Sequence, residues 1–423
     1  MFYKNNNVSR VGNEIGFLLL LVLILPLFPS EARASSYNVN FAILILLLPF
    51  SAGLLKLGFI KLANIYLFFL PMQIALILTA FFTIEQVDVT MSYIISMLRP
   101  TYLFLVFSIF LGCMLPIKSI DDFDIIFKKL NSFLTVIIVS GLCLALLEVF
   151  WGITAFQALL YKRTTIASLD DYITTFFSTS YHSGFFFFSL LVLTIPAFHY
   201  KSNVIKFFIW AGVVIVAVLS QSKPIILSVL ILVTYFCFFK KAKLKFVIFF
   251  SVVLLTLGYS LIKQLALVIS NFFYNDSIAA RGIIRLLDES EESGSLSVRV
   301  DQIIESISAV SHNYYLFGAG AGRDLYLESW PAEVIYRYGF IIFPFIFFLY
   351  IYTLYKLGEV SVTFEKQSHY RLSSLAKTLF FWILLLPLTQ FSGLMIEEGK
   401  LTVISMFLIA MIVKLLQVSK SFR

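Results

Sequence analysis

Long apolar runs follow one another along most of this chain, and they decide which solvent it can fold in. Twelve stretches carry the pattern, near 15–29, 40–58, 62–83, 98–116, 132–154, 183–199, 204–219, 224–239, 246–263, 331–354, 376–393 and 401–416. Runs of this kind suit membrane helices, and no alternation of apolar and polar residues points to a β-barrel. The chain is 60% hydrophobic and only 13% charged, with a mean hydropathy of +0.93. That is more apolar surface than a soluble core can hide, so lipid must cover the rest. The expected fold is therefore an all-α polytopic membrane protein with about twelve transmembrane helices. The first run contains Pro26 and Pro29 and precedes Ala32-Arg33-Ala34, as a signal peptide would; it is read here as a retained helix. Cys113, Cys143 and Cys237 all fall inside apolar runs without metal-ligand spacing and read as packing residues.

A formal net charge of +8 raises nucleic acid as a partner. In a multispanning chain it instead reflects lysines that hold short loops in the cytoplasm. Lys118, Lys128, Lys129, Lys201, Lys206 and the run Lys240, Lys241, Lys243 and Lys245 fall on one side of such a topology. Both termini are then expected in the cytoplasm. The one long polar interval, 264–330, is expected outside, between bundles of spans at 1–263 and 331–423. ATP and nucleotide-sugars are not supplied there, so chemistry on that side needs a substrate that arrives already activated.

The polar interval has internal order. Arg281 and Arg285 lie four apart on a short apolar helix, as in an interfacial segment with snorkelling arginines. Residues 288–296 (DESEESGSL) read as an acidic hinge. Ser297 is then the expected N-cap of a helix whose buried face is Val300, Ile303, Ile304, Ile307 and Val310. Arg299 would sit in its first turn, where backbone N–H groups and the dipole already favour an anion. It would either grip a phosphate or pair with Glu289, Glu291 or Glu292. Gly318, Gly320 and Gly322 alternate just beyond. They either form a tight turn packed on the membrane helices or expose backbone amides to a phosphate. No preceding strand makes them a dinucleotide fingerprint.

Two further features face the same side. Lys223 lies in a very short turn, Ser220-Gln221-Ser222-Lys223-Pro224. It either snorkels or offers a cation at the headgroup level. His182 opens the span at 183–199, as a helix-cap residue or as a donor to substrate.

Four patches give these features a family likeness. They are SQSKP, SYHSGFFFFSLLVL, RVDQIIESISAVSHNYYLFGAGAG and ESWPAEVIYRYGFIIFPF. In their order and placement they resemble the Wzy-type polysaccharide polymerases of the O-antigen ligase/polymerase superfamily, with Lys223 standing where that family usually has arginine. The resemblance implies a GT-C-like glycosyltransferase acting on undecaprenyl-diphosphate-linked oligosaccharide. Arg299 and Lys223 would clamp the diphosphate, with Arg323, Gly318 and Gly320 assisting. Such fixed cations stabilise the charge that develops on the leaving group. His312, or failing that Glu333, would accept the proton of the attacking hydroxyl. His182, Tyr315 and Trp330 would hold sugar rings. No cofactor and no metal is expected. Membrane lipid, a flippase and a chain-length regulator are the expected partners, and nucleic acid is not. An O-antigen ligase or a lipid-linked oligosaccharide flippase would be the alternatives; a flippase would need charge inside its spans, which read as nearly charge-free.

Overall fold

The computed structural model describes residues 2–24, 43–83, 93, 96–151, 175, 177, 180–220, 222–238, 292–311, 316, 318–320, 327, 329–392, 396 and 399–420. All regular structure among them is helical. The first helices are α1 (Phe2–Ile24), α2 (Ala52–Leu57), α3 (Phe59–Tyr66), α4 (Leu70–Thr83), α5 (Arg99–Cys113) and α6 (Ile120–Trp151). Then come α7 (Ser180–Ala197), α8 (Asn203–Leu219), α9 (Lys223–Phe238) and α10 (Glu292–Ser311). The last are α11 (Trp330–Tyr338), α12 (Ile342–Lys366), α13 (Tyr370–Thr389) and α14 (Gly399–Lys420).

Four of these are long and apolar enough to cross a membrane: Ile120–Val149 of α6, α12, α13, and Lys400–Lys420 of α14. A fifth span results if the pair Phe59–Tyr66 and Leu70–Phe81, bent by 60°, counts as one. The chain is thus a helical protein with membrane-spanning segments, but the expectation of twelve full spans is not met by the described residues. Helices α5, α7, α8 and α9 are apolar yet short. At 1.5 Å per residue, about 16 residues cover about 24 Å of a hydrocarbon layer roughly 30 Å thick. Local breaks explain other differences. Gly58, at φ +74, separates α2 from α3. Pro71 has no N–H to return to Leu67, and the chain bends there. Gly339, at φ +66, cuts the run at 331–354 into α11 and α12. The run at 246–263 lies outside the described residues.

The chain divides into two compact units. One comprises Met1–Val22, Ser36–Ile126 and Ser295–Arg423, the other Leu23–Ser35 and Phe127–Gly294.

In the first unit, α13 and α14 are buried along most of their length and little of α12 is buried. Helix α12 pairs with α13, and α14 packs on α5. Phe347, Phe348, Ile351, Tyr352 and Tyr355 of α12 face outward, the surface a lipid-facing helix should show. Charge ties α13 to α6 and to the C-terminal end of α12. Arg371 donates to Asp124 at 2.8 Å and Lys377 to Glu365 at 2.8 Å. Asp122 accepts from the backbone of Lys118 and Ser119, which closes the start of α6. The opposite end of α12 carries α11 and the glycine turn.

In the second unit α7 is central. Phe185–Phe188 and Leu190–Leu193 are fully enclosed, and α8 and α9 pack on the helix. Gly212 of α8 lies beside Ile138 and Leu142 of α6.

Candidate functional site: two polar helix ends

Helix α10 departs from expectation in both start and face. It begins at Glu292, so residues 292–296 are helical and Ser297 is not its N-cap. Arg299 therefore lies about two turns inside the helix, away from the positive end of the dipole, whose effect fades within the first turn. The buried side is Gln302, Ser306 and Val310, with Arg299 and Ile303 half-buried, while Val300, Ile304 and Ile307 are exposed. Spacing alone finds an apolar stripe but not the side that packs. The Arg299 guanidinium lies over the Phe391 ring, 5.6 Å from its centroid. That position makes it a cation at the end of α13, held by an aromatic face.

The glycine turn is stapled to α11. Ala319 N–H donates to Tyr336 O at 2.6 Å, and Ile341 N–H to Leu316 O at 3.2 Å. A Cβ on Gly318 would collide with the backbone of Tyr336 and Arg337. Gly320 has φ +102, and a Cβ there would lie 3.1 Å from the Tyr93 hydroxyl and 3.2 Å from Thr79. Close backbone approach thus accounts for both glycines, and the Ala319 amide is spent on α11. Glu333 and Arg337, in the first and last turns of α11, form an ion pair that also suits the helix dipole. The Trp330 indole N–H donates to Pro387 O at 3.0 Å. It thereby satisfies a carbonyl in the last turn of α13 that has no partner within the helix. The ring also packs on Phe343. Structural roles therefore occupy Gly318, Gly320, Trp330 and Glu333, and join them at one end of the first unit. His312, Tyr315 and Arg323 lie outside the described residues.

The second unit gathers its own polar groups. His182 is in the first turn of α7, half-buried and edge-on to Tyr181 at 4.6 Å. Lys223 is the first residue of α9 and also half-buried. Gly184 connects the two elements: a Cβ there would come within 2.6 Å of Ser220 Oγ and 3.1 Å of Ile225. The start of α7 is therefore pressed against the α8–α9 turn that bears Lys223. Beside them is a carboxylate. Glu148, near the end of α6 and 2% exposed, accepts the Thr175 N–H at 3.3 Å. Thr175 Oγ1 and Ser183 Oγ are 2.7 Å apart. The lysines at 128, 129, 201 and 206 lie at the other ends of α6 and α8.

Glu148 and Thr175 were not legible as site residues. The signal for Glu148 was a single acid inside Leu-Ala-Leu-Leu-Glu-Val-Phe-Trp, since an ionisable residue in a membrane helix marks function by default. Thr175 carried no signal, because its φ of +50 depends on the folded neighbourhood. Among the described residues no group of three or more His, Cys, Asp or Glu could hold a metal ion. The chain matches no protein-family model and no curated protein sequence.

Proposed function

We propose that this protein is a polysaccharide polymerase. It transfers a growing glycan from undecaprenyl diphosphate onto a new lipid-linked repeat unit at the outer face of a bacterial cytoplasmic membrane. The observation that carries the reading is the packing of Gly184, two residues beyond His182, against the turn that bears Lys223. These segments are two of the four patches in which the sequence resembles Wzy-type enzymes, and they form one end of one helical unit. A cation on the first turn of a helix, at the end away from the loop lysines, suits the diphosphate of a lipid carrier.

In the proposed reaction a hydroxyl oxygen of the acceptor sugar bonds to the anomeric carbon of the donor glycan. The anomeric carbon–oxygen bond to diphosphate breaks, and undecaprenyl diphosphate leaves with the electron pair. Lys223 acts as a point charge on that diphosphate, because an ammonium cannot reproduce the guanidinium fork. Arg299 and Arg323 are the further cations that the sequence resemblance implies. His312 accepts the hydroxyl proton. Glu333, engaged by Arg337, serves the fold of α11 rather than the proton transfer. The sequence resemblance gives His182, Tyr315 and Trp330 as sugar-binding residues; the Trp330 indole N–H is already engaged by Pro387 O. A flippase and a chain-length regulator are the proposed partners, and both termini are cytoplasmic.

The test is the length distribution of lipid-linked glycan in cells lacking the gene, complemented with wild type, Lys223→Ala or Arg299→Ala at matched membrane levels. Wild type should restore a ladder. Lys223→Ala should leave mostly single repeat units, with polymer formation down ~10²-fold, the scale of removing one group that stabilises developing charge. A normal ladder without the gene would refute the reading. Polymer that stays on its carrier would indicate a ligase, and repeat units missing from the outer leaflet a flippase.

A further inference from the structure

Glu148 has no part in the transfer reaction as written, yet its placement is costly. Glu148 is 2% exposed near the end of a membrane helix, and burying an acid costs free energy unless hydrogen bonds compensate it. Its neighbour adds a second cost. Thr175 is β-branched and sits at φ +50, a region such residues avoid and whose occupation costs about 1–3 kcal/mol. Strain of that kind persists only where surrounding groups enforce it. The enforcing groups here are the Glu148 carboxylate on the Thr175 N–H and the Ser183 hydroxyl on the Thr175 hydroxyl. Thr175 and Ser183 are both fully buried, so water does not compete for these bonds.

The chain of contacts continues to the cation. Ser183 is followed by Gly184, whose bare Cα meets the Ser220 side chain. Ser220 Oγ is itself tied to Ala217 O at 2.7 Å. Two residues beyond the neighbouring Gln221, Lys223 opens α9. We propose that Glu148 is a positioning residue: through Thr175 and Ser183 it fixes the first turn of α7 against the Ser220–Lys223 turn, and so sets the spacing of His182 and Lys223 for a lipid-linked diphosphate. The proposal rests on the reading that this end of the unit binds such a lipid. Glu148 acts as a hydrogen-bond acceptor in this role.

The experiment measures binding of undecaprenyl diphosphate to the full-length protein in lipid nanodiscs, with undecaprenol as the tail-only comparison, well below the unfolding midpoint. Hydrogen exchange across residues 175–184 is followed on the same samples. Glu148→Gln keeps an oxygen for the Thr175 N–H and should bind like wild type with exchange unchanged. Glu148→Ala should bind between about 10- and 100-fold more weakly, as when a supporting group lets a binding group drift by about an ångström. It should also exchange faster over 175–184. Ser183→Ala leaves the carboxylate in place and should show the same pattern, which keeps the test valid if Glu148→Ala does not fold. Wild-type binding by Glu148→Ala or by folded Ser183→Ala would overturn the proposal while leaving the lipid-diphosphate reading intact. So would a Glu148→Gln protein as weak as Glu148→Ala, because charge and not positioning would then be at work. If wild type does not distinguish undecaprenyl diphosphate from undecaprenol, the lipid-diphosphate reading falls and takes the proposal with it.

Discussion

A methyl group added at Gly318 has nowhere to go, because the Arg337 and Tyr336 backbones already occupy its place. Gly58 is the contrasting case: its surroundings are open, and only its φ of +74 resists a side chain. Gly318→Ala should therefore cost about 1–3 kcal/mol, the range for overpacking, and Gly58→Ala about 1 kcal/mol, for strain alone. Thermal unfolding of the purified variants in detergent should rank them in that order; equal midpoints would contradict the packing account. Sequence reading could not separate these two glycines, nor decide between a phosphate cradle and a packing turn at Gly318. The hydrogen bond from the Ala319 amide to Tyr336 makes that decision, and it joins residues that no local pattern connects.

Helices are where sequence periodicity is most informative, and α10 shows its limit. The apolar stripe through Val300, Ile304 and Ile307 is real, but those residues are exposed while Gln302 and Ser306 are enclosed. A polar side chain can face inward when its hydrogen bonds are met, as Ser306 Oγ meets Gln302 O. The cytoplasm-facing segments by expectation supply another element-level case. Arg371 of α13 is 4% exposed and its partner Asp124 of α6 is 33% exposed. Removing one member of a buried pair is damaging when the remaining charge cannot reach water. Asp124→Ala should thus destabilise by roughly 3 kcal/mol, and Arg371→Ala by less than that, because the carboxylate it leaves can hydrate. Thermal unfolding of the two variants checks the asymmetry, and a larger loss for Arg371→Ala would refute it.

For the molecule as a whole, the prediction concerns its solvent. Exposed Phe347, Phe348, Tyr355, Phe59 and Ile60 leave a surface that water does not cover well. After an alkaline carbonate wash of membranes the chain should remain in the pellet; release into the supernatant would contradict membrane spanning. The helical class and the membrane setting were settled by composition and run length, because apolar area and backbone hydrogen bonding allow few alternatives in lipid. So were the cores of α6, α13 and α14, each a long apolar run that stays helical even with Gly141 inside α6 and Pro387 inside α13. The sequence could not say which runs stay whole, since a glycine at positive φ or a proline bends a helix only where tertiary contacts hold the bend. It could not say that α10 buries its polar side, that Gly318 serves α11, or that Glu148 supports the first turn of α7. Each of these depends on which atoms arrive next to one another from distant parts of the chain, and only tertiary packing decides that.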